Sequence, residues 1–126
     1  MGRVTGLGGV FFKAIDPGKL SSWYQAHLGF EPENGPVFFR WRQKDADAPG
    51  TTVWALFERD SKYFDPSTAP FMLNYRVDNL DAILERLAAE GVQIDPKRED
   101  GQYGRFAWIM DPEGNRIELW EPPPGQ

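Results

Sequence analysis

The chain is internally duplicated, and no other feature limits its possible folds as strongly. Asp16-Pro17 opens a helical stretch that Gly29-Phe30 closes, and Asp78-Asn79 opens a second that Gly91-Val92 closes. Thirteen positions separate the Asp from the Gly in each copy, and 62 positions separate the copies. Further on, Ala55-Leu56-Phe57-Glu58 matches Glu118-Leu119-Trp120-Glu121 at an offset of 63. A repeat of this length marks a duplicated supersecondary unit, which buries its exposed face against its twin.

Each copy reads as a strand, a helix, then two or three strands. Residues 8–14, 37–43 and 51–58 are rich in β-formers, with a polar turn at 44–50. Asp16 reads as an N-cap, Pro17 as the first helical residue and Gly29 as the stop. Leu20, Trp23, His27 and Leu28 share one face of that helix, with Tyr24 beside them. In the second copy, 71–77 is a strand, Asp78 or Asn79 caps a helix, and Leu80, Ile83, Leu84, Leu87 and Ala88 form its apolar stripe. Residues 93–101 read as a polar connection, and 103–110 and 115–121 as strands joined by a type I turn at 111–114. The chain is thus one domain of two modules, 5–58 and 70–122. Linker 59–69 joins them, and its Asp, Ser and Pro content opposes regular structure. Helices cover one face only, so two curved sheets facing each other with a cleft between them is the expected arrangement.

Composition removes several function classes. There is no cysteine, so disulfides, thiolate metal sites and cysteine nucleophiles are out. A net charge of −5 argues against a nucleic-acid partner and suits a neutral or cationic ligand. No apolar run suggests a signal peptide or a membrane span, so the reading is a soluble cytoplasmic protein. Aromatic residues make up 14% of the chain, enough to line a small-molecule cavity.

Three runs carry a family resemblance: the stretch from Trp23-Tyr24 to Leu28-Gly29-Phe30, Val77-Asp78-Asn79-Leu80-Asp81, and Asp111-Pro112-Glu113-Gly114-Asn115-Arg116-Ile117-Glu118-Leu119. Together they resemble the vicinal oxygen chelate superfamily, the glyoxalase, bleomycin-resistance and extradiol-dioxygenase group. The resemblance spans about residues 8–121 and implies an α+β fold. It implies paired βαβββ modules that form a cupped mixed sheet, and a homodimer. It also implies a divalent metal in the cup, held by side chains on the first and last strands of each half.

Those four positions map to Gly9, Ala55, Met72 and Glu118. Only Glu118 offers a side-chain donor, and one carboxylate does not hold a transition metal tightly. The expectation is therefore no metal and no other cofactor. Strand alternation places Phe11, Lys13, Phe57, Asn74, Arg76 and Trp120 on the same side as Glu118, and these with Glu118 are the candidate ligand contacts; Arg116 faces the same way. A buried carboxylate needs a partner, so Glu118 is expected to pair with Lys13, Arg76 or Arg105. His27, the one histidine, falls on a helix away from these positions. The reading is a binder of a small aromatic or cationic molecule. The alternative is an atypical glyoxalase-like lyase or isomerase, or a dioxygenase, with Glu118 as its catalytic group.

Overall fold

Both helices begin at short polar side chains that satisfy the first free backbone N–H groups. In the computed structural model, which describes residues 2–42 and 49–126, α1 spans Pro17–Leu28 and α2 spans Leu80–Ala89. Asp16 Oδ1 accepts from Lys19 N at 3.0 Å, and Pro17 occupies the first turn. Gly29 ends α1 at φ 72°, a left-handed conformation that suits glycine. Asn79 Oδ1 accepts from Ala82 N at 3.0 Å to start α2, and Glu121 Oε1 accepts from Leu80 N at 2.7 Å.

The strands are β1 (Val4–Ala14), β2 (Val37–Arg42), β3 (Pro49–Glu58), β4 (Phe71–Val77), β5 (Ile94–Gly101), β6 (Gly104–Met110) and β7 (Arg116–Glu121). They form one continuous sheet in the order β2-β3-β1-β4-β7-β6-β5. The expected pair of facing sheets is thus replaced by a single sheet. The two modules join edge to edge within one chain, through antiparallel pairing of β1 with β4. Val10 lies opposite Leu73, its own equivalent 63 positions on, so the local two-fold of the duplication passes between them. The second module is a full βαβββ unit. The first has one strand fewer after its helix, because nothing equivalent to β5 forms between α1 and β2 among the described residues.

Register explains which residues meet. Trp54, Val10, Leu73, Ile117 and Ile109 form one cross-strand row. Ile109 and Ile117 pack with Leu80, Ile83 and Leu84 of α2, while Tyr24 of α1 lies against Trp54 at 4.8 Å. Both helices therefore cover the same face. The next row, Val53, Gly9, Asn74, Glu118 and Trp108, points to the opposite face. That face is the cup.

Two further sequence expectations need correction. Residues 94–101 are an edge strand, not a connection; its charged side chains stay in water while its backbone pairs with β6. On α1 the packed side chains are Leu20 and Tyr24, whereas Trp23 is 51% and Leu28 59% exposed and His27 is exposed too. The apolar count along that helix is spread over more than one face, so spacing alone picked the wrong stripe. Most of the turn expected at 44–50, and the strand end expected at Gln43, fall outside the described residues. No helix among the described residues is long and apolar enough to cross a membrane.

The largest departure concerns the linker. Between Arg59 and Pro70 the chain forms turns only, as its composition suggests, yet it lies across the cup and seals it. Phe64 is fully buried against Phe11, Met72 and Trp108. Tyr63 stacks on Phe57 with ring centroids 5.3 Å apart and meets Trp108 edge-on. A connector that hides an aromatic side chain completely is part of the core. Phe64→Ala is expected to lower unfolding free energy by about 3–5 kcal/mol, measured by urea denaturation. An effect no larger than that of an exposed loop substitution would contradict this.

Candidate functional site

The cup centres on Glu118. Its position on β7 places Asn74 on one side and Trp108 on the other, as direct cross-strand neighbours. Asn74 Nδ2 donates to Oε1 at 2.6 Å, and Trp108 Nε1 donates to Oε2 at 2.9 Å. From the linker, the Tyr63 hydroxyl donates to Oε2 at 2.6 Å. Glu118 is 2% exposed, and both of its oxygens are engaged. No cation among the described residues pairs with it. Lys13 holds its ammonium over the Phe64 ring at 5.3 Å. Arg105 pairs with Asp81, Asp100 and Glu121. Arg76 is bound elsewhere, as described below. The expected salt bridge is thus replaced by three neutral donors.

Burial and hydrogen bonding act on this group in opposite directions. Burial pushes the Glu118 pKa up, and the three hydrogen bonds oppose that push without cancelling it. The Tyr63 hydroxyl is also pushed up, first by burial and then by the neighbouring Glu118. Asn74 Oδ1 is buried with no hydrogen-bond partner among the described residues.

The candidate ligand contacts occupy the same face as Glu118. Phe11 is buried against Phe57, at 5.5 Å between centroids. Asn74 is held by Glu118. Trp120 is buried, stacks parallel to Phe106, and donates Nε1 to the Tyr103 carbonyl at 2.7 Å. Arg116 lies over Trp108 and pairs with Asp95 at 2.9 Å. Arg76 is 2% exposed, with its guanidinium over the rings of Trp41 and Trp120 at 5.5 and 5.3 Å. His27 lies on α1 against Trp23, away from the cup. Sequence reasoning misses Tyr63, because it sits in a segment read as a linker, and Trp108, because its own strand carries no clear inward face. Alternation against β7 would have placed Trp108.

The residues present do not fit the divalent metal that the resemblance implies. Among the described residues, no three His, Asp or Glu side chains converge. The first-strand positions also lack room for a donor. A Cβ on Gly8 would lie 1.9 Å from Asn74 Oδ1, and one on Gly9 would lie 2.7 Å from the Phe11 ring. Met72 is fully buried in the aromatic cluster, and Ala55 packs against it. Glu118 alone carries a ligating group, and its oxygens are committed.

Two cavities flank the linker. One, of about 180 Å³, is lined by Pro66, Trp108, Met110 and Arg116; the other, of about 360 Å³, by Lys13, Ile15, Arg59 and Thr68.

A family model described as the Glyoxalase/Bleomycin resistance protein/Dioxygenase superfamily matches residues 10–119. Among solved structures, methylmalonyl-CoA epimerase from Mycobacterium tuberculosis is 28% identical, with a TM-score of 0.59, covering 96% of this chain and 90% of its own. A Streptomyces coelicolor methylmalonyl-CoA epimerase in complex with 2-nitronate-propionyl-CoA is 19% identical, with a TM-score of 0.68, covering 95% and 99%. A superfamily member from Vibrio splendidus 12B01 is 15% identical, with a TM-score of 0.58, covering 96% and 99%. The last two are alike in fold alone. No curated protein matches the chain.

Because the folded state holds Glu118 above its ordinary pKa, this group stabilises the protein in acid. That contribution falls as pH rises from the ordinary glutamate range through the raised folded value. Glu118→Gln is expected to remove the decline, leaving the variant relatively more stable at neutral pH than at pH near the ordinary glutamate value. Urea denaturation of both proteins across pH measures it; parallel curves would refute it.

Proposed function

The chain belongs to the glyoxalase/bleomycin resistance protein/dioxygenase superfamily, and from that premise we propose that it binds a small aromatic molecule in the cup without a metal. The observation that carries this reading is the seat of Tyr63. A planar ring stacks on Phe57, stands edge-on to Trp108, and gives its hydroxyl to Glu118. The cup thus already receives a phenol, supplied by the chain's own linker. A free phenolic guest meets the same stacking surface and the same acceptor once Tyr63 withdraws. The donor set supports metal independence, since three of the four ligand positions are Gly9, Ala55 and Met72. A cationic guest, the other class that net charge suggests, is less well served. The buried carboxylate is committed to three donors, and the other buried charges on the cup face are the cations Arg76 and Arg116.

A second reading, an atypical isomerase or lyase using Glu118, draws on the 28% identity to an epimerase. It needs Tyr63 to uncover Glu118, as binding does. Epimerisation of methylmalonyl-CoA by the protein, abolished in Glu118→Gln, would decide in its favour.

Tryptophan fluorescence and thermal melting against phenol and 4-cresol test the leading reading. Tyr63→Ala is expected to bind these compounds about tenfold more tightly than the parent protein, since it removes the internal competitor. No binding by either protein would end the proposal. Nickel, cobalt and zinc are expected to leave the melting temperature unchanged. A rise of several degrees that Glu118→Ala abolishes would overturn the metal-free part.

A further inference from the structure

Two arginines are buried on the cup face, and their charges are treated differently. Arg116 is matched by Asp95 at 2.9 Å. Arg76 has no acidic side chain as partner among the described residues. Its Nη1 donates to the Thr51 carbonyl at 3.3 Å, and its Nη2 donates to the main-chain oxygen of Gln126. Its Nε is buried with no hydrogen-bond partner among the described residues. Burial depresses its pKa, but a guanidinium stays charged in proteins.

The unpartnered Nε belongs to a specific edge. Nε and Nη2 form one edge of the guanidinium, the edge that pairs with both oxygens of a carboxylate. Gln126 fills half of that edge with a single oxygen. The ring faces are already used, by Trp41 and Trp120. Glycines on the neighbouring strands make that possible: a Cβ on Gly50 would lie 2.4 Å from the Trp41 ring, and one on Gly6 would lie 3.0 Å from it. The site is therefore built from several elements, and segment 122–126 lies across it.

We propose that Arg76 anchors the carboxylate of an aromatic ligand, which displaces the Gln126 oxygen and fills the Nε–Nη2 edge. The inference rests on the reading of the chain as a small-molecule binder and narrows the guest to an aromatic acid. The spacing agrees. Arg76 lies two residues from Asn74 along β4, about 7 Å, and Asn74 is the direct neighbour of Glu118. A para-substituted ring spans a similar length, so a hydroxyl at Glu118 and a carboxylate at Arg76 suit opposite ends of one guest.

4-Hydroxybenzoate and 4-hydroxybenzamide have nearly the same shape and differ in charge. Calorimetric titration of the full chain, and of Tyr63→Ala, is expected to give at least about tenfold tighter binding of the acid. In NMR spectra of the unaltered protein, the acid should move the Arg76 Nε–H and Gln126 amide resonances, and the amide should leave Nε–H in place. Arg76→Lys keeps the charge, loses the two-pronged edge, and should lose the preference. Equal binding of the two probes, or acid binding that leaves Arg76 Nε–H unmoved, would overturn the anchor while sparing the binder reading. If neither probe binds to either protein, both fall.

Discussion

The Glu118 carboxyl group is the polar point at which the linker and two strands of the second module meet. Its three donors come from the linker, from β4 in the seam between modules, and from β6. A carboxyl group in a nearly dry interior is costly until each oxygen has a partner. That cost makes the arrangement selective. The linker must lay Tyr63 across the cup, Asn74 must face inward, and Trp108 must turn its indole N–H toward β7. The aromatic core of Phe11, Phe57, Phe64 and Met72 closes around the result. Here a polar group sets the geometry that the apolar groups then fill.

The duplication survives as backbone and diverges as chemistry. Equivalent positions pair in equivalent ways: Phe11 with Ala55 in one half, Asn74 with Glu118 in the other. One pair contributes only bulk, and the other contributes the central polar link. The halves share a frame and have divided its tasks. The first supplies stacking surface, and the second supplies both Glu118 and Arg76.

Much of this was legible in the sequence wherever local rules decide the outcome. Caps at Asp16 and Asn79, the stops after each helix, and the inward parity of Phe11, Asn74, Arg76 and Glu118 follow from spacing and side-chain chemistry. The misses have a common cause. Tyr63 and Phe64 lie in a segment whose neighbours forbid regular structure, and irregular backbone gives no periodicity from which to read burial. The charged edge strand β5 hides its strand character because pairing on one side only leaves its side chains in water. Arg76 was placed on the correct face, but its partners come from β2, β3 and the residues after β7. No window of sequence contains all of them.

Gly8 and Gly9 have an evolutionary corollary. A histidine placed at either position does not become a metal ligand in one step, because its first atom beyond the backbone strikes Asn74 or Phe11. Displacing Asn74 in turn removes a donor from Glu118. The step from a chain like this one to a metal-binding cousin therefore needs Asn74 or Phe11 to move before a donor fits.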